Sequence, residues 1–187
     1  ACNHVFALLG SDDVKLDPII WNKEIKTGFE WPTGVYSSKL RKTTPQGSDI
    51  KIPWELSRCH HLLWLGEAYV LTGEEKYAWE VANELNDWID TNPLMYSVNW
   101  TCAMEVAIRA VNWMYALLFI VDSVHFTDEL AEKVYRSLYQ HGFFIHNNLE
   151  RTIPYSNNHY YSNIVGLLYL GQLFNQTRQG KNGFALH

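Results

Sequence analysis

The sequence predicts an all-α protein preceded by an irregular arm, and three observations carry that prediction. From Pro53 onward, apolar residues recur at helical spacing in five segments, about 53–71, 75–91, 99–122, 127–150 and 158–174. Helix punctuation falls between them: Thr72-Gly73 and Asn92-Pro93 stop helices, and Thr127-Asp128-Glu129 starts one. Before residue 53 the chain changes character. Residues 1–52 carry Pro18, Pro32 and Pro45 with Gly10, Gly28, Gly34 and Gly47, and Trp21, Phe29 and Trp31 stand among them. This stretch reads as an arm packed by its aromatic side chains, and 53–187 as the helical body.

Segment 53–71 opens with a proline in its first turn, where the missing amide hydrogen is not needed. It spaces Glu55, Arg58 and His61 along an otherwise apolar helix. Segment 75–91 differs. Tyr77, Ala78, Val81, Leu85, Trp88 and Ile89 share one face, and Glu80, Asn83, Glu84, Asp87 and Asp90 the other, which is the pattern of an outward-facing amphipathic helix. Segment 99–122 is apolar on nearly every side except for one stripe of Glu105, Arg109 and Asn112. Segment 127–150 returns to the amphipathic type with Leu130, Val134, Leu138, His141 and Ile145 on one face. Segment 158–174 carries Ile164, Val165, Leu167, Leu168, Leu170 and Leu173, and gathers Asn158, His159, Ser162 and Asn163 at its start.

Striped and amphipathic helices therefore alternate. A helix apolar on both flanks yet striped with polar groups lines a cavity, and each stripe lies in the first half of its helix. If inner helices alternate with outer ones in antiparallel hairpins, the inner N-termini point to one end and the stripes converge there. The predicted architecture is an α/α toroid with a polar mouth. The competing arrangement is a solenoid of stacked hairpins whose inner polar groups bond one another, but Trp54-Glu55 with Arg58 and Trp100 with Glu105 and Arg109 echo each other without a fixed period.

At 187 residues, 47% of them hydrophobic, the chain can bury a sizeable core. A net charge of −5 and a pI near 5.9 argue against nucleic acid or a membrane surface as partner. No segment reaches the length of an uninterrupted membrane span: Ala110–Val121 is broken by Asn112 and flanked by Arg109 and Asp122. Cys2, Cys59 and Cys102 lie far apart and indicate neither a disulfide framework nor a zinc site. His60, His125, His141 and His146 share no ligand spacing, so no metal and no cofactor is expected from this chain. Asn99 and Asn175 begin Asn-x-Thr triplets that matter only in a secreted eukaryotic protein. The chain starts at Ala1 without methionine, which suggests a native start further upstream.

The most informative stretch is Tyr155-Ser156-Asn157-Asn158-His159-Tyr160-Tyr161. It sets an amide beside an imidazole where an apolar helix begins. Asparagine at such a place is a standard cap, and one asparagine suffices for capping; the alternative is a functional pair projecting from the mouth. Glu55, Arg58, Glu105, Arg109 and Asn112 either contact a sugar, with the arginines as partners for carboxylate or sulfate, or hold the helices together as ion pairs. Trp54, Trp100 and Trp113 either stack on sugar rings or fill the core. Tyr155, Tyr160 and Tyr161 line the cleft or pack.

Three long motifs stand in order: Asp49-Ile50-Lys51-Ile52-Pro53-Trp54-Glu55-Leu56-Ser57-Arg58; Asn99-Trp100 followed by Met104-Glu105-Val106-Ala107-Ile108-Arg109-Ala110-Val111-Asn112-Trp113; and Asn157-Asn158-His159-Tyr160. Together they resemble the heparinase II/III family of polysaccharide lyases, and the likeness runs from Phe6-Ala7-Leu8-Leu9-Gly10 to Phe174. The resemblance implies an incomplete α/α toroid, followed in complete members by a C-terminal β-sandwich that this sequence lacks. It implies β-elimination on a uronic-acid glycan, with Asn158 and His159 as the catalytic pair that neutralises the uronate carboxylate. Arg58, Glu105, Arg109, Asn112, Trp100 and Tyr160 are the candidate substrate contacts. The family's catalytic tyrosine and further histidines lie beyond this sequence, and Gly183-Phe184-Ala185-Leu186-His187 looks like the opening of the next helix, so the chain reads as a fragment, inactive by itself and prone to self-association. The resemblance leaves room for a structural metal in the C-terminal domain.

The expected partner is an acidic polysaccharide or oligosaccharide, glycosaminoglycan-like or alginate-like. With 15 basic residues against 20 acidic, a less sulfated polymer is favoured over heparin. The expected location is periplasmic or secreted, with the cytoplasm as the alternative. Two other functions stay open: a toroid glycoside hydrolase using Glu55 and Glu105, and a noncatalytic glycan-binding or assembly protein on the lyase scaffold.

Overall fold

In a computed structural model, residues 2–40, 45, 47–152 and 157–175 are described. Tyr155 and Gly183–His187 of the sequence reading lie outside them. The described chain forms α1 (Lys51–Ser57), α2 (His60–Thr72), α3 (Glu75–Thr91), α4 (Ala103–Ile120), α5 (Asp128–Asn147) and α6 (Asn158–Phe174), preceded by a short antiparallel pair, β1 (Val5–Phe6) and β2 (Val14–Lys15). The helices form two layers. α4 packs between α2 and α6, while α3 backs α2 and α5, and α5 backs α4 and α6. The alternation of striped and amphipathic segments thus becomes an inner layer of α2, α4 and α6 and an outer layer of α3 and α5. The fold is all-α and toroid-like, as the sequence predicts.

The inner helices run parallel and close. Asn158 of α6 meets Met104 at the start of α4, and the Tyr115 and Tyr169 hydroxyls meet at 2.9 Å further along both helices. Two glycines permit the approach. A Cβ on Gly66 would lie 2.7 Å from Phe119 Cβ, and one on Gly166 would lie 2.8 Å from Ala107 Cβ and 3.1 Å from its Cα. On its other side α6 leaves Tyr161, Val165 and Leu168 exposed.

Between the layers sits an aromatic box built around a buried cation. The Arg109 guanidinium stacks 4.1 Å over Trp88 and 5.3 Å from Trp100. Its Nε–H donates to His141 Nε2 at 2.9 Å, and Nη2–H to the Asn99 carbonyl at 3.2 Å. Complete burial pulls the arginine pKa down to about 9. His141 donates Nδ1–H to the Ser137 carbonyl at 2.7 Å. Burial, with the charge of Arg109, pushes this histidine well below its ordinary value and keeps it neutral.

Three expectations are corrected. The segment read as one helix over 53–71 breaks at Arg58 and Cys59, where Cys59 takes a left-handed φ of 58°. No glycine or proline marks the break; Asn112 of α4 makes it, donating Nδ2–H to the freed Arg58 carbonyl at 2.7 Å. The segment read as 99–122 begins as an isolated 3-10 turn over Val98–Trp100, capped by Ser97 Oγ, and α4 starts only at Ala103. Glu80 and Glu84, read as the solvent face of α3, are buried. The arm covers them: Trp21 Nε1–H donates to Asp87 at 2.7 Å, and His4 Nε2 lies 2.6 Å from Glu80. Phe6 and Trp21 pack on His61 beside them.

Candidate active site

The heads of α4 and α6 lie side by side, and one carboxylate joins them. α5 ends at Asn147 because Asn147 and Asn148 turn their own side-chain amides onto the Phe143 and Phe144 carbonyls. The chain that leaves it brings Glu150 across the start of α4, where the Met104 amide donates to Glu150 Oε2 at 2.7 Å. A carboxylate there meets the positive end of the helix dipole. Glu150 is itself clamped: its amide donates to Asn163 Oδ1 at 2.8 Å, and Asn163 Nδ2–H returns to Oε2 at 3.4 Å. The other carboxylate oxygen, Oε1, accepts Nδ1–H of His159 at 3.0 Å. The ionised carboxylate is acceptor only, so this contact fixes the tautomer and directs Nε2 away from Glu150.

At the head of α6 the capping alternative resolves onto a neighbouring residue. Asn157 is the cap, its Oδ1 accepting the Tyr160 amide at 3.0 Å. Asn158 is thereby released from capping; among the described residues its exposed carboxamide meets Met104 Sδ at 3.8 Å. His159 is partly exposed, with 36% of its side chain accessible.

His159 and Glu150 form one wall of a cleft of about 680 Å³. Tyr36, Ser37, Ser38 and Leu40 of the arm also line it, together with Trp54, Thr101, Cys102, Phe144 and Leu149 among others. Trp54 is anchored through Nε1–H, which donates to the Val98 carbonyl at 3.0 Å and to Thr101 Oγ1 at 3.2 Å.

Next to this cleft stands a triad of charges. Arg58 donates Nε–H and Nη2–H to Glu105 at 2.6 and 2.9 Å and Nη1–H to Glu55 at 2.6 Å. The hydrogen bonds to Glu105 raise the arginine pKa further. Both carboxylates are thus engaged by one guanidinium, and neither stands free as the acid that glycoside hydrolysis needs.

Four of the candidate substrate contacts lie buried. Arg109 is 0% exposed inside the aromatic box, where no sugar reaches it. Trp100 borders the cleft but is 1% exposed, packed between Trp88, His141 and Phe144 with Nε1–H on the Asn92 carbonyl. Asn112 holds the Arg58 carbonyl, and Glu105 is buried against Arg58. These four position other groups. Arg58 remains partly accessible, as does Tyr160 in the first turn of α6.

Sequence reasoning missed Glu150 and Cys102 as neighbours of His159, and Asn163 as the side chain that clamps Glu150. Glu150 was read as the last residue of a helix; a lone acid nine residues before the imidazole was the available signal. The Cys102 thiol, 3.8 Å from His159 Nδ1, is raised to about 12 by burial and the nearby carboxylates, which keeps it protonated and non-nucleophilic. Cys102, Glu150 and His159 bring potential ligand atoms within 4.8 Å of one another. Both oxygens of Glu150 are already engaged by hydrogen-bond donors.

The arrangement is that of a toroid-like helical domain with a polar cleft at its parallel helix heads. The Heparinase II/III N-terminus family matches residues 19–182, and the chain belongs to that family of polysaccharide lyases. Among solved structures it is similar to a mutant of the heparan sulfate lyase HepC from Pedobacter heparinus, with 20% identity, a TM-score of 0.71, and coverage of 96% of this chain and 25% of that one. A heparinase III gene product matches at 22% identity and a TM-score of 0.65, over 78% of this chain and 25% of its own. Its lysine-methylated form matches at 19% identity and a TM-score of 0.70, over 96% and 28%. The chain thus spans about a quarter of the length of these structures. No curated protein matches by sequence.

Proposed function

We propose that this chain supplies the carboxylate-neutralising half of a site that cleaves a uronic-acid glycan by β-elimination. One observation carries the reading: Asn157 caps α6, which frees the Asn158 amide, beside an imidazole that Glu150 holds through Nδ1. In β-elimination a base removes the proton at C5, a C4–C5 double bond forms, and the C4–oxygen bond breaks, the departing oxygen taking a proton. The obstacle is the adjacent carboxylate, whose charge keeps the C5 proton weakly acidic. Donors on that carboxylate stabilise the enolate-like transition state, each by roughly 3–4 kcal/mol when well placed. Asn158 offers Nδ2–H. His159 keeps its Nδ1 on Glu150, which turns Nε2 toward substrate. The base is expected from a tyrosine beyond residue 187, as the family resemblance implies.

The favoured substrate is a uronate polymer of low sulfation. Arg58 is saturated by two carboxylates and Arg109 is enclosed, so neither offers a free guanidinium to sulfate. Such polymers lie outside the cytoplasm, and this reading assigns the protein to the periplasm or the secreted space. The test incubates the full-length native protein with heparosan, alginate and heparin and follows the ultraviolet absorbance of unsaturated product. Absorbance rising fastest on the unsulfated polymers is expected. New reducing ends without absorbance would replace the lyase by a hydrolase, and binding without cleavage would leave a noncatalytic protein. Residues 1–187 alone are expected to bind the polymer without turnover.

A further inference from the structure

On the far side of α2 from the cleft, the arm and α3 enclose a second cluster of chemistry-bearing side chains. Glu80 and Glu84 stand one turn apart on α3, both buried. His4, just ahead of β1, brings Nε2 to 2.6 Å from Glu80 Oε1. His4, Glu80 and Glu84 place one potential ligand atom each within 4.8 Å of one another. His61 of α2 approaches from the other side, its Nε2 2.6 Å from Glu84 Oε2.

The second oxygen of Glu84 decides the matter. Glu84 is 2% exposed, and among the described residues its Oε1 is buried without a geometric hydrogen-bond partner, while burial and the neighbouring Glu84 push the Glu80 carboxyl above its usual range. An orphan carboxylate oxygen in a buried site costs the full desolvation of that lone pair, and a second buried carboxylate beside it adds repulsion. A divalent cation removes both penalties at once, since its two charges cancel those of Glu80 and Glu84. The Cys102, Glu150 and His159 cluster has no such vacancy, because donors satisfy both oxygens of Glu150.

We propose that His4, Glu80 and Glu84 form a divalent transition-metal site, with zinc the best fit, that ties the N-terminal arm to α3. His4 Nε2, one oxygen of Glu80 and Oε1 of Glu84 are the ligands, and a water takes the fourth position. His61 bonds the far oxygen of Glu84 and orients it, as outer-shell groups do around metal carboxylates. One imidazole and two carboxylates suit zinc, which accepts nitrogen and oxygen in four-coordinate sites; calcium and magnesium require a fuller set of oxygen ligands. The Nε2 proton of His4 leaves to solvent on binding.

The test titrates zinc into chelator-treated protein against a chromophoric indicator, with thermal unfolding in parallel. One zinc per chain is expected, with the midpoint raised by about 5–10 °C at free zinc roughly 100-fold above the dissociation constant. His4→Ala and Glu84→Gln should each weaken binding at least about tenfold, in line with loss of a ligand. X-ray absorption of the wild-type complex should show nitrogen and oxygen ligands only, a readout that does not depend on the variants folding. No binding, sulfur in the first coordination sphere, undiminished binding by a folded His4→Ala variant, or an equal midpoint shift with calcium or magnesium would each overturn the assignment.

Discussion

His141 and His159 are both held through Nδ1, yet they have opposite fates. His141 is sealed between the layers, and the group facing its Nε2 is a cation, Arg109; burial and that charge keep it neutral. His159 stands at the cleft wall with its Nδ1–H on an anion, Glu150, and its other nitrogen is turned away from that anion. The same side chain serves structure in one place and is suited to chemistry in the other. What separates them is the sign of the neighbouring charge and the access of water.

The largest effect is expected where the structural histidine is removed. His141→Ala leaves a cavity and strips Arg109 Nε of its acceptor, and should lower unfolding stability by about 4 kcal/mol in denaturant titrations. Under the proposed β-elimination, Asn158→Ala should do the converse in the native protein, lowering turnover by about 10²–10³ with an unchanged unfolding midpoint; a loss of stability with normal turnover would return Asn158 to a structural role.

The third expectation concerns pH. Below its ordinary pKa of 6.5, His141 takes up a proton in the unfolded chain that the folded chain refuses. Its contribution is therefore complete above that value and lost as pH falls toward the lowered folded pKa. His141→Gln should flatten this part of the stability profile, and identical slopes for variant and wild type would contradict the buried neutral state.

Glu150→Gln keeps an acceptor for the Met104 amide but removes the charge behind His159. Turnover should fall by about tenfold, and the loss should vanish in a His159→Ala background. The smallest effect belongs to Asn157→Ala: about 1 kcal/mol of stability, as for other lost caps, with turnover intact.

How far the sequence reveals this molecule can be judged from individual elements. The reading of 75–91 and 158–174 matches α3 and α6 to the residue, because Gly73, Pro93 and the asparagines before α6 are local stop and start signals. The break at Cys59 was not legible, since its cause is Asn112, more than fifty residues away in the chain. Glu80 and Glu84 read as solvent-facing because helix periodicity does not register an arm that folds back over them. At the cleft, the adjacency of Asn158 and His159 was visible, and the pairing of Glu150 with His159 was not. That contact forms only once α5 has ended early and α4 and α6 have met. Arg109, one turn from Glu105 on a polar stripe, looked equivalent to Arg58, and only the packing of Trp88 and Trp100 tells the two apart.

Glu150 accepts from the backbone of Met104 and from the ring of His159 at once, so the first turn of α4 and the orientation of the imidazole form a single hydrogen-bonded unit. Opening one loosens the other. The Met104 amide is accordingly a built-in reporter: its hydrogen-exchange protection should rise when a uronate ligand holds His159, and proton exchange at one backbone position would then count site occupancy without any label on the sugar.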